Sequence, residues 1–237
     1  DAFVMRERLN EVIDSEGNIV VIGGGATGVE VCGEIASLLR SKKSKCKVHV
    51  VHAAQRFLPA FSEKTSAIAE KRLRKLGAVV HLNSKTTAIG ENFVEINGSE
   101  KIECHLSIWA AGIEANIPKT NPIMNLSNSC MAVDSKLNVK DMKDVFAAGD
   151  ASLCIGKDGK NIPFLAQSAM AQGKFAADNI LLDISGKEKK DFVFHYKGAI
   201  ISAGRFYAVA EIGRFRIKGV LPWIIKKMYY RTQLIML

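Results

Sequence analysis

The residues of this chain best placed to do chemistry together occupy one short run, Val20-Val21-Ile22-Gly23-Gly24-Gly25-Ala26-Thr27-Gly28-Val29-Glu30. An apolar stretch, Ile19 to Ile22, leads into Gly-x-Gly-x-x-Gly at Gly23, Gly25 and Gly28, and an amphipathic segment rich in Ala, Leu and Glu runs from Val29 to about Arg40. The spacing predicts strand, tight turn and helix. In such a unit Gly23 makes the turn, Gly25 leaves the backbone bare for a pyrophosphate, and Gly28 lets the helix pack close to the strand. Ala26 and Thr27 lie where the helix N-terminus turns unpaired N–H groups and the positive end of its dipole toward the phosphates. The plainer alternative is a loop that needs only flexibility; the register between a buried strand and a helix argues against it.

Other candidates follow the same logic. A second strand, Lys47 to His52, ends where an Asp or Glu would hold an adenine-ribose hydroxyl. Here the residue is His52, with Gln55 and Arg56 just after it. No acid repels a 2′-phosphate and Arg56 could pair with one, so NADPH is admitted beside NADH; alternatively His52 is a neutral substitute and Arg56 a solvated charge. Trp109-Ala110-Ala111-Gly112 ends another strand in a close-approach turn. Asp144 to Asp150 reads as a strand closing on Gly149-Asp150, a carboxylate beside unobstructed backbone that suits a sugar or ribitol hydroxyl, or else a plain turn. The small residues from Ala166 to Lys174 permit close helix packing, and Gln167 and Gln172 either line a pocket or face solvent.

The elements that must position these residues can be read in order. Residues 1–14 predict a short leading helix. Ser62 to Leu76 reads as an amphipathic helix stopped by Gly77. Short strands follow at 78–81, 86–89, 93–96, 101–104 and 106–110, completing a βαβ unit with an inserted meander. Pro118, Pro122 and the Asn/Ser-rich residues 121–129 mark a boundary. Beyond it come strands at 131–134 and 137–139, a helix from about 164 to 180, and strands at 192–195, 199–202, 206–211 and 215–217. The closing stretch, 219–237, predicts a helix with Lys226, Lys227 and Arg231 on one side and Trp223, Ile224, Met228, Leu234 and Ile235 on another. That pattern suits a helix lying in the surface of an anionic membrane, the alternative being a terminal helix docked on its own core or on a second subunit.

With 237 residues, 48% hydrophobic and 24% charged, disorder is excluded as the main state. The net charge of +9 is concentrated at the end: residues 187–237 carry eleven Lys/Arg against three acids. Long aliphatic residues mixed into that basic segment argue against nucleic acid as the partner. The five cysteines, 32, 46, 104, 130 and 154, form no Cys-x-x-Cys and no metal-type cluster, so dithiol chemistry and a metal are both disfavoured and a reducing compartment is expected.

Taken together, GGGATGVE with Glu30, Ile108-Trp109-Ala110-Ala111-Gly112, Phe146-Ala147-Ala148-Gly149-Asp150, Pro163…Ala166-Gln167 with Gln172-Gly173, Phe194-x-Tyr196-x-x-Gly198 and Gly219-x-x-x-Trp223 resemble the type II NADH:quinone oxidoreductases of the two-dinucleotide flavoprotein superfamily. The resemblance implies an α/β fold: a Rossmann-like NAD(P)H domain with an inserted meander, the C-terminal part of an FAD domain, and a small α+β membrane-associated tail. The corresponding regions are 1–14 as linker helix, 15–118, 119–186, and 187–237 for membrane association and dimerisation. It implies that Gly23, Gly25 and Gly28 hold the NAD(P)H pyrophosphate with Glu30 toward the nicotinamide. Asp150 would contact FAD, Ala166 and Gln167 would lie near the flavin and a quinone, and the enzyme would be a peripheral homodimer on the cytoplasmic face of a membrane. It implies electron transfer from NADH through FAD to quinone without proton pumping.

Three departures accompany this. His52 stands where relatives usually carry an acid, Ala171-Gln172 stands where many carry a Gln pair, and the N-terminal FAD half with its own glycine turn is absent from the sequence, so the chain reads as the latter part of a longer enzyme or as one piece of a split one whose FAD-binding segment is separate. A non-catalytic NAD(P)H-responsive module at a membrane or partner surface is the alternative.

Overall fold

The computed structural model describes residues 2–117, 126–127, 129–142 and 144–235. The predicted boundary around Pro118 and Pro122 lies outside these residues, as do Met236 and Leu237 and the side chains of Leu234 and Ile235. The chain forms two compact units, Asp1–Gly112 with Lys197–Leu237, and Ile113–Tyr196.

The first unit opens with α1 (Ala2–Asp14), β1 (Ile19–Ile22), α2 (Ala26–Lys42), β2 (Val48–Val51), α3 (Glu63–Leu76) and β3 (Val79–His81). The meander β4 (Thr86–Ile89), β5 (Phe93–Ile96) and β6 (Glu100–Glu103) follows, then β7 (Leu106–Trp109). Strands β3-β2-β1-β7 make a parallel sheet, with Ile19 opposite both Val48 and Leu106. Strand β1 is apolar throughout because both its faces are covered. Ile19 and Val21 enter the core formed with Val29, Cys32 and Ile35 of α2 and Leu73 of α3, whereas Val20 and Ile22 enter a second core with Val94, Ile96 and Ile102 of the meander. The meander is thus the lid on the far face of the nucleotide-type sheet. Helix α3 is bounded as its sequence dictates: the Ser62 side chain accepts from Thr65 N–H, and Gly77, at φ +97°, returns its N–H to Arg74 O.

The second unit contains β8 (Leu126–Ser127), β9 (Cys130–Ala132), a 3-10 turn at Gly149–Ala151, β10 (Ser152–Leu153) and α4 (Ala166–Ile184). Its core gathers Met131, Val133, Leu137, Val139, Ile162 and Ala176. Three predicted strands are corrected here. Among the described residues, 137–139 and 144–148 meet only in the isolated Asn138–Phe146 bridge, with Val139 bridging Val133, because left-handed Asp141 and Asp144 bound one end of the pairing and left-handed Leu137 the other. Phe192 to His195 is irregular; among the described residues its backbone is tied by Phe192 N–H to Ser135 O, while Phe192 and Phe194 pack on the core.

The chain then returns to the first unit with β11 (Ala199–Ser202), β12 (Ala208–Ile212), β13 (Phe215–Gly219) and α5 (Val220–Ile235). These strands form an antiparallel sheet that rests directly on α2. A Cβ on Gly33 would lie 2.5 Å from Gly204 N, and Arg205 N–H donates to Ser37 Oγ at 3.0 Å. A second tie joins β12 to α3. Glu211 accepts from the Ser62 hydroxyl at 2.5 Å, from Ser62 N–H at 3.2 Å and from the Thr65 hydroxyl, with Arg216 at 3.4 Å.

Candidate functional site

The glycine turn obeys two different steric rules. Gly23 has φ +113°, and a Cβ on it would lie 2.5 Å from Ala110 O; a Cβ on Gly28 would overlap Gly23 O. These two are glycine because the protein leaves them no room. Gly25 is the opposite case: its φ is −72°, and no atom lies within 4 Å of where a Cβ would stand. The space before Gly25 is open, and α2 starts at the next residue with no side chain capping its first N–H groups. Ala26 is half-buried and Thr27 exposed. An uncapped helix start facing an open, side-chain-free approach is the geometry that accepts a pyrophosphate. On the other flank, Ala110 N–H donates to Ile22 O at 2.7 Å, the Trp109 indole donates to Ala111 O at 2.9 Å, and Gly112 adopts φ +89° with both Ala111 and Gly112 exposed.

The loop after β2 differs from its reading. His52 does not present its polar edge outward: Nδ1 accepts from Gly24 N–H at 3.1 Å, and Nε2 is buried without a hydrogen bond. Burial lowers the His52 pKa, with the Arg56 backbone pulling the other way. Arg56 is partly buried and tied to its own loop. Its guanidinium donates to Phe61 O at 2.9 Å, Pro59 O at 3.1 Å and Leu58 O at 3.2 Å, closing its own loop.

Glu30, one turn into α2, accepts from Ser202 N–H at 3.0 Å and pairs with Lys226 of α5. Lys226 is therefore turned inward, away from the basic face on which the sequence placed it beside Lys227 and Arg231. Trp223 is half-buried, edge-on to Phe206 at 4.9 Å, with the Lys227 ammonium 4.3 Å from its ring centroid. Ile224, Ile225 and Met228 remain exposed beside Lys227 and Arg231. A groove of about 480 Å³ opens between Glu34 and Ser202 on one side and Trp223, Met228 and Tyr230 on the other.

In the second unit, Gly149 has φ +69° and sits on α4, a Cβ there being 3.2 Å from Ala169 Cβ. Asp150 is exposed next to it. Buried Gln172 accepts from Gly149 N–H at 2.6 Å and from the Ser152 hydroxyl at 3.1 Å, so it braces the Gly-Asp turn rather than lining a pocket. Ala166 is the exposed first residue of α4 and Gln167 is half-buried after it. The Ser168 hydroxyl ties this helix start to Pro163 O at 2.5 Å.

The expected site residues thus fall into two sets, Gly23 to Glu30 with His52, Arg56, Ala111 and Gly112 in the first unit, and Gly149, Asp150, Ala166 and Gln167 in the second. Lys226, Glu211 and the bracing roles of His52 and Gln172 went unread, since each depends on a partner distant in sequence. Gly33, with Ala36 and Ser37 on the same helix, was the signal for the close approach of the 203–205 segment. The five cysteines are buried and unpaired, and burial pushes the Cys32 thiol up to about 12.

Residues 4–173 match the family model described as pyridine nucleotide-disulphide oxidoreductase. The type II NADH:quinone oxidoreductase NdhA of Mycobacterium tuberculosis is 30% identical over 229 residues, which cover 86% of this chain and 47% of that protein. The type II NADH:quinone oxidoreductase of Staphylococcus epidermidis is 29% identical over 239 residues, covering 96% of this chain and 60% of the relative. Among solved structures, NDH2 from Plasmodium falciparum superposes with a TM-score of 0.83 at 16% identity, over 97% of this chain and 68% of that one. The chain spans about half the length of the mycobacterial relative, and the likeness to NDH2 establishes the fold.

Proposed function

The chain belongs to the pyridine nucleotide-disulphide oxidoreductase family, and from that membership we propose that it is the nucleotide-binding and C-terminal part of an FAD-dependent NADH:quinone oxidoreductase. The observation that carries the reading is the open space at Gly25, bounded by two glycines that have no space at all. In this reading Gly23, Gly25 and Gly28 receive the NADH pyrophosphate, and the N–H groups at Ala26 and Thr27 face its charge. Glu30 lies toward the nicotinamide, oriented by Ser202 N–H and Lys226. Ala111 and Gly112 leave the opposite flank bare. The commitment of Arg56 to three carbonyls favours NADH over NADPH as the donor.

For FAD the fit is partial and specific. The left-handed Gly149 and exposed Asp150, braced by Gln172, suit a ribitol or pyrophosphate contact, and Ala166 with Gln167 would border the flavin and the quinone. The Gly-Asp turn accounts for only one end of FAD, and in this reading the adenosine end rests on residues outside this sequence. When bound, NADH and FAD supply hydride transfer and two-electron delivery to a quinone, with no proton pumping; the protein supplies distance and surroundings.

No described helix is long and apolar enough to cross a membrane. The exposed Ile224, Ile225 and Met228 beside Lys227 and Arg231 support peripheral attachment through 219–237, on the cytoplasmic face and in a homodimer. A visible spectrum of the purified chain tests the reading. Flavin bands that bleach with NADH and return with a soluble quinone are expected once the FAD segment is supplied. A colourless protein that still binds NADH in its presence would overturn the redox part of this reading and leave a non-catalytic NADH-responsive module.

A further inference from the structure

Gly24 is not one of the three fingerprint glycines, yet it too has no room for a side chain: a Cβ there would lie 2.6 Å from His52 Cγ and would run into the Phe57 ring. Both polar groups of Gly24 are held by the loop after β2. Its N–H donates to His52 Nδ1 at 3.1 Å, and its carbonyl accepts from Leu58 N–H at 2.8 Å. The ring is in turn fixed from behind. It stacks on buried Phe57 with centroids 6.0 Å apart, and its backbone is pinned on both sides, N–H to His81 O at 2.8 Å and carbonyl from Ser84 N–H at 2.9 Å. A nitrogen that accepts carries no proton, so the neutral ring holds its hydrogen on Nε2, which is buried and makes no hydrogen bond among the described residues.

Resting on the nucleotide reading above, we propose that His52 is a positioning residue: through Nδ1 it fixes the Gly23–Gly24 peptide so that the glycine turn stands ready for a pyrophosphate, and it does not read the adenine ribose. The charged and titratable neighbours have other partners. Arg56 is held by the carbonyls of its own loop, and the His81 ring hydrogen-bonds His49 on β2. Protonation at Nδ1 would set two N–H groups face to face and release Gly24, and because burial lowers the His52 pKa this occurs on the acid side of an ordinary imidazole.

The test is calorimetric titration of the full chain with NAD⁺ at about pH 7.5 and pH 5, for wild type, His52→Asn and His52→Leu. Asn carries an acceptor oxygen close to the place of Nδ1. The expected result is H52N within about threefold of wild type and H52L roughly tenfold weaker, the worth of one hydrogen bond. Acid should weaken wild type more than H52N. Wild-type affinity in H52L, or an acid-side loss of the same size in H52N and wild type, overturns the proposal; should H52L fail to fold, the H52N pH comparison decides alone. Failure of wild type to bind NAD⁺ at neutral pH would instead remove the nucleotide reading itself.

Discussion

Gly33→Ala separates tertiary packing from helix propensity because the two act in opposite directions at that position. Gly33 lies inside α2, where alanine in place of glycine ordinarily stabilises by about 1 kcal/mol. The added methyl, however, would stand 2.5 Å from Gly204 N and 2.8 Å from the Ala203 carbonyl carbon, both backbone atoms that cannot rotate away. Gly204 is itself strained for any other residue, at φ +92°. Overpacking of this kind costs about 1–3 kcal/mol, and backbone-on-backbone contact puts it at the upper end. The net expectation is destabilisation of about 1–2 kcal/mol, a fall in Tm of roughly 2–8 °C for a chain of this size. Gly173→Ala is the matched control, since nothing lies within 4 Å of its Cβ in α4; it should stabilise by up to about 1 kcal/mol. Urea and thermal unfolding measure both variants, and proteolysis should cut Gly33→Ala earlier within 197–237. A Gly33→Ala protein as stable as wild type, or more stable, would refute the docking of the β11–β13 sheet on α2.

Glu211→Gln should cost about 2–4 kcal/mol in urea unfolding, because the hydroxyls of Ser62 and Thr65 and the Arg216 guanidinium lose a nearly buried anionic acceptor. Burial raises the Glu211 pKa, but hydrogen bonds from Ser62 and Thr65 and the Arg216 charge outweigh it, leaving it below the ordinary 4.5. Its contribution is therefore present at neutral pH and lost as pH falls from about 4.5 through the lowered value, and the variant should lack that part of the acid-side loss. His49 behaves in the same sense for a different reason: burial, with His81 and Lys47 adding repulsion, brings it to about 4 from 6.5. The unfolded chain takes up a proton that the folded one refuses, so stability declines as pH falls from about 6.5 to about 4. His49→Phe should flatten that slope in unfolding curves measured across the window.

Much of the first unit was legible because its signals are local. Ile19 to Ile22 alternates between two buried faces, Ser62 and Gly77 bound α3 by side-chain and left-handed caps, and the glycines dictate the turn whatever the rest does. Helix α2 begins at Ala26, three residues ahead of its apolar periodicity, because the fingerprint glycine Gly28 already lies in its first turn. What stayed hidden depends on partners far along the chain. Glu30 meets Lys226 across 196 positions and Ser62 meets Glu211 across 149, and neither residue type announces its partner. Strand composition misled at 137–139, 144–148 and 192–195, where apolar side chains do reach a core but the backbone finds too few ladder partners. His52 was placed at the right strand end, and its role turned on which ring nitrogen faces Gly24, which spacing does not encode.

The central claim, that the open approach at Gly25 is where a dinucleotide pyrophosphate lies, is tested most directly by NADH fluorescence titration of Gly25→Ala beside wild type. The backbone at Gly25 accepts alanine, with φ −72° and no atom within 4 Å of the new methyl, so the variant should fold with a loss of no more than about 1 kcal/mol from the altered helix cap. The account predicts a folded Gly25→Ala protein whose NADH affinity falls at least tenfold, because the methyl occupies ligand space rather than protein space. A folded variant that binds NADH as tightly as wild type would contradict it.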